Sequence, residues 1–508
     1  MIIVTDSQKL HYELSNVARL FFPAEEMQWC KRSEELYAGL AADPSETVVL
    51  VEEAQTADSL QLAVRLLLSD DRQVRLDQCF PAQPAPNRAI ELGKLLYRLL
   101  EQLTGRSIDW GVLTGIRPVK LARKLRTDGK TPEEIEAFFV SEYLTTPQKA
   151  TLCRLTDQVQ QEVVASALPH GYSLYISIPF CPSRCSYCSF VSHSIEKTWK
   201  LLPDYLNKLC LELAETAKIA AQKGLVLQTV YIGGGTPTVL SAQQLDTLLA
   251  TVREQFDLCH CTEFTVEAGR PDTITPDKLE VLRRYGVDRI SVNCQTLSDS
   301  VLEQIGRKHT AQQFLEAYSL VKNYDFTAIN VDLIAGLPGD SFDSFQNSVK
   351  GVLALAPQNI TVHSLTVKRA ARLVAEKQSL LTDTPVKQHS PVAAMVNLSQ
   401  QLLAAQGYLP YYLYRQKGTV DSLENVGFCL PNSECHYNIF IMDETHTILS
   451  AGGGGVTKLV MPGNSSPYGY GEDSVRIERI FNYKYPYEYL ERFDTMLEKK
   501  RAILDFPL

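Results

Sequence analysis

Short apolar runs alternate with longer amphipathic stretches between about residues 172 and 366. The apolar runs are rich in β-branched and aromatic residues, which predicts strands over 173–178, 228–232, 263–267, 288–293, 327–333 and 359–365. The amphipathic stretches predict helices over 204–223, 242–256, 276–285, 311–323 and 342–355, with Ser241 and Thr275 as candidate N-cap residues. Such alternation indicates a parallel sheet with right-handed crossovers. Six units are fewer than the eight that close a barrel, so we expect an α/β fold built on a partial, open-sided barrel.

Two further regions flank these units. Residues 1–165 predict an N-terminal domain of unknown role, with an α/β part and a helical part separated by a proline-rich stretch near residues 81–86. Residues 166–370 are the predicted core. Residues 371–508 predict a C-terminal α+β extension that covers the substrate, with a helix over 392–406 and a hairpin formed by 437–442 and 447–451. The glycine run 452–455 is interpreted as a flexible turn, with close approach to a flat ligand as the alternative.

Composition narrows the class of protein. Hydrophobic residues make up 45% and charged residues 21% of the 508 residues, which is typical of globular domains. The net charge of −9 gives no general attraction to nucleic acid or to an anionic membrane. We expect a cytoplasmic protein without a membrane span, because neither a signal peptide nor a long apolar segment is evident.

A short loop after the first predicted strand carries the most specific chemical signal. Cys181, Cys185 and Cys188 follow one another with the spacing C-x3-C-x2-C. A cubane iron-sulfur cluster normally takes four cysteine ligands, so three would leave one iron open. S-adenosyl-L-methionine (SAM) can chelate such an iron through its amino and carboxylate groups and then be cleaved reductively. The loop therefore predicts a 4Fe-4S cluster with SAM as second cofactor.

Two other interpretations of these cysteines stay open. A structural zinc site would need a fourth ligand such as His193, five residues after Cys188. A disulfide is disfavoured because clustered cysteines in a chain without a secretory signal indicate metal binding or catalysis.

Several polar residues and glycines lie at the carboxyl ends of the other predicted strands, where parallel α/β sheets bind ligands. Gly233, Gly234 and Gly235 follow the second strand, Glu267 ends the third, and Gln295 follows the fourth. Together with Asn330–Gly339, which contains Asp332, these motifs and the cysteine loop resemble the radical SAM enzymes, specifically the oxygen-independent coproporphyrinogen III oxidase (dehydrogenase) family, in a bacterial branch with a long N-terminal extension.

The resemblance implies roles for individual residues. Cys181, Cys185 and Cys188 would bind the cluster, and the three glycines would contact the methionine part of SAM. Positions that match the family's other SAM contacts, or that border the cluster and adenine, are Tyr175, Phe190, Glu267, Gln295, Arg307 and Asp332. A structural role at the sheet rim is the alternative for each of them taken singly.

The implied reaction is oxidative decarboxylation of two propionates of coproporphyrinogen III to the vinyl groups of protoporphyrinogen IX. A hydrogen atom leaves the carbon β to the carboxylate, and loss of carbon dioxide and one electron leaves the alkene. No general base is required, so no catalytic acid or base is predicted. Lys368, Arg369 and Arg372 are candidate propionate partners or else an exposed rim. An electron donor and an electron acceptor are the other partners that we expect.

Two departures from the family pattern keep other functions open. Phe190 and Ser177 stand where established oxidases have a cysteine and a histidine. A related branch of haem-binding chaperones also lacks that cysteine, so haem transfer is the main alternative. A radical enzyme acting on RNA is a third hypothesis. It depends on a basic cluster that we interpret mainly as a solvated helix face, made of Arg117, Lys120, Arg123, Lys124 and Arg126.

Overall fold

A computed structural model describes residues 1–23, 25–31, 46–70, 72–115, 117–188, 193–366, 390–416, 422–462 and 475–508 of the chain. The N-terminal region begins with a mixed sheet in the order β2-β1-β3-β4-β5. Its strands are β1 (Ile2–Val4), β2 (Gln28–Cys30), β3 (Val48–Gln55), β4 (Ser59–Leu67) and β5 (Gln73–Pro81). The helices of this region are α1 (Gln8–Phe21), α2 (Arg88–Thr104), α3 (Pro118–Thr127), α4 (Pro132–Tyr143) and α5 (Pro147–Ala165). The predicted N-terminal α/β region is confirmed.

The core consists of six neighbouring parallel strands. They are β6 (Gly171–Ile178), β9 (Val226–Gly234), β10 (Glu263–Glu267), β11 (Arg289–Ser291), β12 (Ala328–Ala335) and β13 (Asn359–Ser364), while β7 (Phe180–Cys181) and β8 (His193–Ser194) form a separate pair. The core helices are α6 (Ile195–Thr198), α7 (Leu202–Gln222), α8 (Ala242–Gln255), α9 (Pro276–Arg284), α10 (Asp299–Gln304), α11 (Ala311–Lys322) and α12 (Phe342–Leu355). The expected partial barrel of six βα units is confirmed.

Local chemistry explains why these elements begin where they do. Ser241 caps α8, because its hydroxyl accepts from the backbone amide of Gln244. The Gln244 side chain in turn accepts from the backbone amide of Ser241, which completes a capping box. Thr275 occupies the N-cap position of α9 but makes no side-chain cap there. In β6, Leu174, Ile176 and Ile178 are fully buried and alternate with the residues that face the other side of the sheet.

The C-terminal region continues the same sheet at both edges. Its helices are α13 (Pro391–Ala405), α14 (His436–Asp443), α15 (Pro486–Glu491) and α16 (Phe493–Arg501), and its strands are β14 (Leu409–Arg415), β15 (Glu424–Cys429), β16 (Thr447–Ala451), β17 (Val456–Pro462) and β18 (Val475–Phe481). Strand β15 pairs antiparallel with β13, and β16 pairs parallel with β6. The resulting sheet has eleven strands in the described chain. No helix within the described ranges is long and apolar enough to cross a membrane.

The predicted hairpin over 437–451 is wrong. Its first half is helix α14, whereas β16 lies between β6 and β17 in the sheet. The carboxylate of Glu263 accepts bonds from the backbone amides of His436 and Tyr437, at distances of 2.8 and 3.1 Å. Because these amides begin the helix, a carboxylate placed there stabilises it. A short apolar run is compatible with either a strand or a helix. Here Glu263, distant in sequence, favours the helix by accepting from its first amides.

Four of the five residues of the basic cluster at α3 form ion pairs, and only Lys124 matches the predicted solvated face. Arg117 and Lys120 pair with the carboxylate of Glu444, and Arg123 pairs with Asp443. Arg126 pairs with Asp157 on α5 at 2.6 Å, and Arg123 also contacts that carboxylate. The cluster therefore joins α3 to α5 and to the end of α14, which removes the observation on which the RNA hypothesis depended.

A buried polar network joins the N-terminal region to the sheet. Trp110 is fully buried and donates from Nε1 to Glu424 Oε2 at 2.6 Å. The ammonium of Lys149, with no exposed side-chain surface, contacts Glu424 Oε1 at 2.5 Å. Asn397 on α13 accepts from Lys149 and donates to Asp109. Three regions that are distant in sequence thus share one desolvated charge pair.

The glycine run 452–455 forms the predicted turn, between β16 and β17, and this turn packs against protein backbone. A Cβ on Gly452, whose φ is +93°, would lie 2.3 Å from the carbonyl oxygen of Ser177. Ser177 donates from Oγ to the carbonyl of Gly453 at 2.8 Å. The Tyr205 hydroxyl donates to the Ser177 carbonyl and accepts from the Gly453 amide. The run therefore supports β6 just before the cysteine loop.

Candidate functional site

The cysteine loop leaves β6 at the carboxyl edge of the sheet and is held at its base. Strand β7 pairs with β8, so Phe180 lies opposite His193. Farther along, the amide of Ser186 donates to the carbonyl of Ile305 at 3.0 Å, and Ser183 Oγ donates to that of Gly306 at 3.3 Å. The loop thus folds across the sheet toward the segment that follows α10.

The three loop cysteines differ in their surroundings. Cys185 is buried, whereas Cys181 and Cys188 are partly exposed. Thr236 Oγ1 lies 3.5 Å from Cys181 Sγ, and Arg270 Nη1 lies 3.9 Å from Cys185 Sγ. All twelve cysteines belong to the described chain and none forms a disulfide bond.

His193, the fourth ligand that the zinc interpretation needs, is partly buried, and its Nε2 has no hydrogen-bond partner among the described residues. Its ring packs edge-on against Tyr485 and Tyr487, with centroid distances of 5.7 and 6.2 Å. Within the described ranges, no three His, Cys, Asp or Glu side chains are grouped as a metal-binding set, and this includes the three loop cysteines, so the finding does not favour iron over zinc.

The triple-glycine segment lies directly against the start of the cysteine loop. Gly233 and Gly234 end β9, and the amide of Gly235 donates to the Ile178 carbonyl at 2.8 Å. A Cβ on Gly235 would lie 2.5 Å from the carbonyl oxygen of Phe180. The next amide, that of Thr236, donates to the same Phe180 carbonyl. These glycines therefore fix the origin of the loop by backbone contact.

Two carboxylates face the interior at the same edge of the sheet. Tyr231 donates to Glu267 Oε1 at 2.6 Å. Burial, with a further contribution from the Asp332 charge, raises the pKa of Glu267 to about 7. Asp332 accepts from the side-chain amides of Asn293 and Asn330, both at 2.8 Å. A carboxyl group that is about half protonated near pH 7 therefore lies close to a hydrogen-bonded carboxylate.

Gln295 and Arg307 each present a buried polar atom that has no hydrogen-bond partner among the described residues. Gln295 adopts a φ of +72°, and its Oε1 is buried with no hydrogen-bond partner among the described residues. Non-glycine residues in this conformation are concentrated at functional sites. Arg307 bonds the carbonyls of Gly269 and Asn293 and the hydroxyl of Tyr187, yet its Nε has no partner within the described ranges. Such atoms indicate a site for a polar ligand.

Tyr175 lies deeper, in the barrel interior. Its ring stacks on those of Tyr231 and Tyr437, with centroids 6.1 and 6.0 Å away. The other predicted contacts, Phe190, Lys368, Arg369 and Arg372, lie outside the described residues.

Sequence reasoning missed four residues around this site. They are Tyr231, Asn293, Asn330 and His363, whose Nε2 lies 3.8 Å from Asp332 Oδ2. Tyr231 lies two residues before Gly233, and Asn330 lies two residues before Asp332. Residues at i and i+2 of a strand share one face, so this spacing could have identified Tyr231 and Asn330 from the sequence.

The donor set fits a cubane cluster with SAM. Three thiols share one loop. At the same carboxyl edge of the sheet, Arg307 Nε and Gln295 Oε1 are buried and have no hydrogen-bond partner among the described residues. SAM carries an amino group, a carboxylate and ribose hydroxyls, which suit carboxylate, guanidinium and amide partners.

Comparison with known proteins agrees with this geometry. Residues 175–351 match the model of the Radical SAM superfamily. The oxygen-independent coproporphyrinogen-III oxidase-like protein HemZ of Bacillus subtilis is 33% identical, across 98% of this chain and 96% of that protein. The heme chaperone HemW of Lactococcus lactis is 33% identical across 56% of this chain and 69% of its own length. The solved coproporphyrinogen III oxidase HemN of Escherichia coli shares the fold, with a TM-score of 0.50 and 21% identity over 67% of this chain and 73% of that one.

Proposed function

Because this chain belongs to the radical SAM superfamily and to its family of oxygen-independent coproporphyrinogen-III oxidase-like proteins, we propose that it decarboxylates coproporphyrinogen III to protoporphyrinogen IX without oxygen. Members of the superfamily use a 4Fe-4S cluster and SAM. When bound, these groups supply a one-electron reductive cleavage of the sulfonium that starts radical chemistry.

The observation that carries the proposal is the convergence of the cysteine loop with Gln295 and Arg307 at one edge of the sheet. The loop contacts Ile305 and Gly306, the residues immediately before Arg307, and Tyr187 of the loop accepts a bond from Arg307. The loop and the guanidinium are therefore held next to each other, and the carbonyls of Gly269 and Asn293 also hold the guanidinium. Such an arrangement suits a site that must hold two reacting groups in fixed proximity.

The polar and metal-binding residues of the site are assigned individual tasks. Cys181, Cys185 and Cys188 hold the cluster, and Arg307 binds the carboxylate of SAM through its unsatisfied Nε. Glu267 and Asp332 accept from the amino group and the ribose hydroxyls, while Gln295 offers its Oε1. Lys368, Arg369 and Arg372 bind the substrate propionates, and Phe190 borders the cluster. We place the enzyme in the cytoplasm, where reduced thiols persist.

The first experiment measures the cofactor. Anaerobically reconstituted protein is expected to hold about four irons per chain. Cys181→Ala, Cys185→Ala or Cys188→Ala should abolish this binding, whereas Cys210→Ala, outside the loop, should not. Stoichiometric zinc with no uptake of iron would refute the cluster assignment.

The second experiment measures the reaction. Coproporphyrinogen III is incubated anaerobically with the reconstituted protein, SAM, a strong reductant and an electron acceptor for the electron that the substrate radical releases, and porphyrin products are separated chromatographically. Protoporphyrinogen IX is expected. Lys368→Ala with Arg369→Ala should raise KM more than it slows SAM cleavage, because lost propionate pairing removes binding energy at the remote end of the substrate. Lys350→Ala on α12 is the control.

Haem transfer is the second candidate, and the similarity to HemW proteins favours it. The HemW of Bacillus subtilis, for instance, is 36% identical over 39% of this chain. If the holoprotein cleaves SAM and binds haem tightly but never decarboxylates coproporphyrinogen III, haem transfer is the function. Decarboxylation without stable haem binding selects the oxidase.

A further inference from the structure

A buried arginine lies beneath the cysteine loop and has no role in the proposed binding of SAM or substrate. Arg270 follows β10, and 3% of its surface is exposed. Its Nε and Nη2 contact the two carboxylate oxygens of Asp272, at 3.1 and 3.4 Å. Its Nη1 points to the loop instead, 3.1 Å from Ser183 Oγ and 3.9 Å from Cys185 Sγ. One guanidinium thus contacts both a loop hydroxyl and a cysteine sulfur.

The guanidinium of Arg270 is held in a fixed position next to Cys185. Asp272 fixes the guanidinium plane, because a carboxylate that binds two of its nitrogens leaves Nη1 in one direction. Cys185 is buried, so water screens the contact poorly. Arg307 lies close by, since Tyr187 of the same loop accepts from its Nη1. The sulfur of Cys185 is therefore held in a cationic environment built from two separate segments of the chain.

We propose that Arg270 is a positioning residue that orients Cys185 as a cluster ligand and raises the reduction potential of the bound cluster. A donor aimed at a ligating sulfur, and a positive charge near it, both favour the reduced and more negative state of an iron-sulfur cluster. The proposal rests on the cluster and not on the substrate, so a failure of coproporphyrinogen decarboxylation would not affect it.

The test is a redox titration of the reconstituted cluster, followed by its electron paramagnetic resonance signal. Arg270→Gln should shift the midpoint potential to a more negative value with iron content retained. Arg270→Lys, which keeps the charge, should shift it less. Asp272→Asn removes the compensating negative charge and should shift the potential in the opposite direction. Arg284→Gln, an equal loss of charge on the exposed face of α9, is the matched control.

The outcomes divide clearly. An unchanged potential in a fully loaded Arg270→Gln protein, or an equal shift in Arg284→Gln, overturns the proposal. If Arg270→Gln binds no iron, the lysine variant decides. Recovery of iron with a near-native potential in Arg270→Lys supports the role of the charge. Equal loss of iron in both variants overturns it, because the contacts to Ser183 and Asp272 alone would then explain the effect.

Discussion

Glu267 shows at the scale of a single residue how burial prepares a side chain for a ligand. Its carboxyl has a pKa of about 7 in the folded protein, against 4.5 in an unfolded chain. The folded state therefore binds the proton more tightly, and the free energy of unfolding decreases as pH rises from about 4.5 to about 7. Above pH 7, ionisation of this carboxyl lowers the free energy of unfolding by about 3 kcal/mol. A ligand that bonds to the ionised carboxylate would offset this loss, and so we expect ligand binding to stabilise the site.

We predict opposite effects of Glu267→Gln on stability and on SAM binding. Without cofactors, the variant should unfold at a higher temperature than wild type at pH 8, and the difference should shrink toward pH 4.5, because the amide does not ionise. Affinity for SAM should fall in the reconstituted protein. Thermal unfolding at both pH values and equilibrium dialysis with SAM measure the two effects. Glu280→Gln, on an exposed face, is the control, and an identical pH profile in wild type and Glu267→Gln would contradict the assignment.

Gly235 shows that a residue without a side chain can control metal binding from outside the ligand set. We predict that Gly235→Ala reduces iron uptake although all three cysteines remain, because the new Cβ would lie 2.5 Å from the Phe180 carbonyl oxygen. Relief of such an overlap costs about 1–3 kcal/mol and would displace the origin of the loop. Iron content after reconstitution is the measurement. Gly115→Ala, which meets nothing within 4 Å, should bind iron normally.

At the scale of elements, helix α3 is attached to the end of α14 by charge. Glu444 is the C-cap residue that follows α14, and it is surrounded by Arg117, Lys120 and Lys458, the last at 3.2 Å. These cations hold the pKa of Glu444 at about 2 although burial opposes them. The resulting stabilisation is present above pH 4.5 and is lost as pH falls toward 2.

We predict that Glu444→Gln lowers stability at pH 7 by about 1–3 kcal/mol, because it leaves partly buried cations without their carboxylate. The deficit should diminish as pH falls toward 2, where the wild-type carboxyl is also neutral. Glu478→Gln, which breaks an exposed pair with Arg476, should cost no more than about 0.5 kcal/mol. Thermal unfolding of both variants across this pH range is the measurement. A pH-independent deficit would show that charge is not the cause.

At the scale of the whole molecule, the N-terminal region and the barrel share one interior. Lys149 on α5 and Glu424 on β15 have no exposed side-chain surface, and Trp110 donates to the same carboxylate. Glu424 is adjacent in the sheet to the end of β13, where Ser364 donates to the Glu424 carbonyl. We infer that the N-terminal region supports the barrel edge next to the strand that precedes the candidate propionate residues.

A double-mutant cycle tests this coupling. Lys149→Met should destabilise the protein by about 3–5 kcal/mol, because it leaves a buried carboxylate without a cation. Adding Glu424→Gln should recover a large part of that loss, since the amide carries no charge and keeps an oxygen for Trp110. Chemical denaturation of wild type, both single variants and the double variant gives the coupling energy. Additive losses would show that the two residues act independently.

The sequence by itself determined the six parallel strands and the cysteine loop. Buried parallel strands must be apolar nearly throughout, so β6 and β9 to β13 are visible as runs of residues, and metal ligands on one loop are visible as a spacing. Only the tertiary structure decided how α14 forms, what the basic face of α3 binds, and where the glycine run lies. Glu263, Glu444 and Ser177 settle those three questions from far along the chain. The type of each residue limits which partners its side chain can have. The fold selects the actual partner, because it brings distant segments together and removes the water between them.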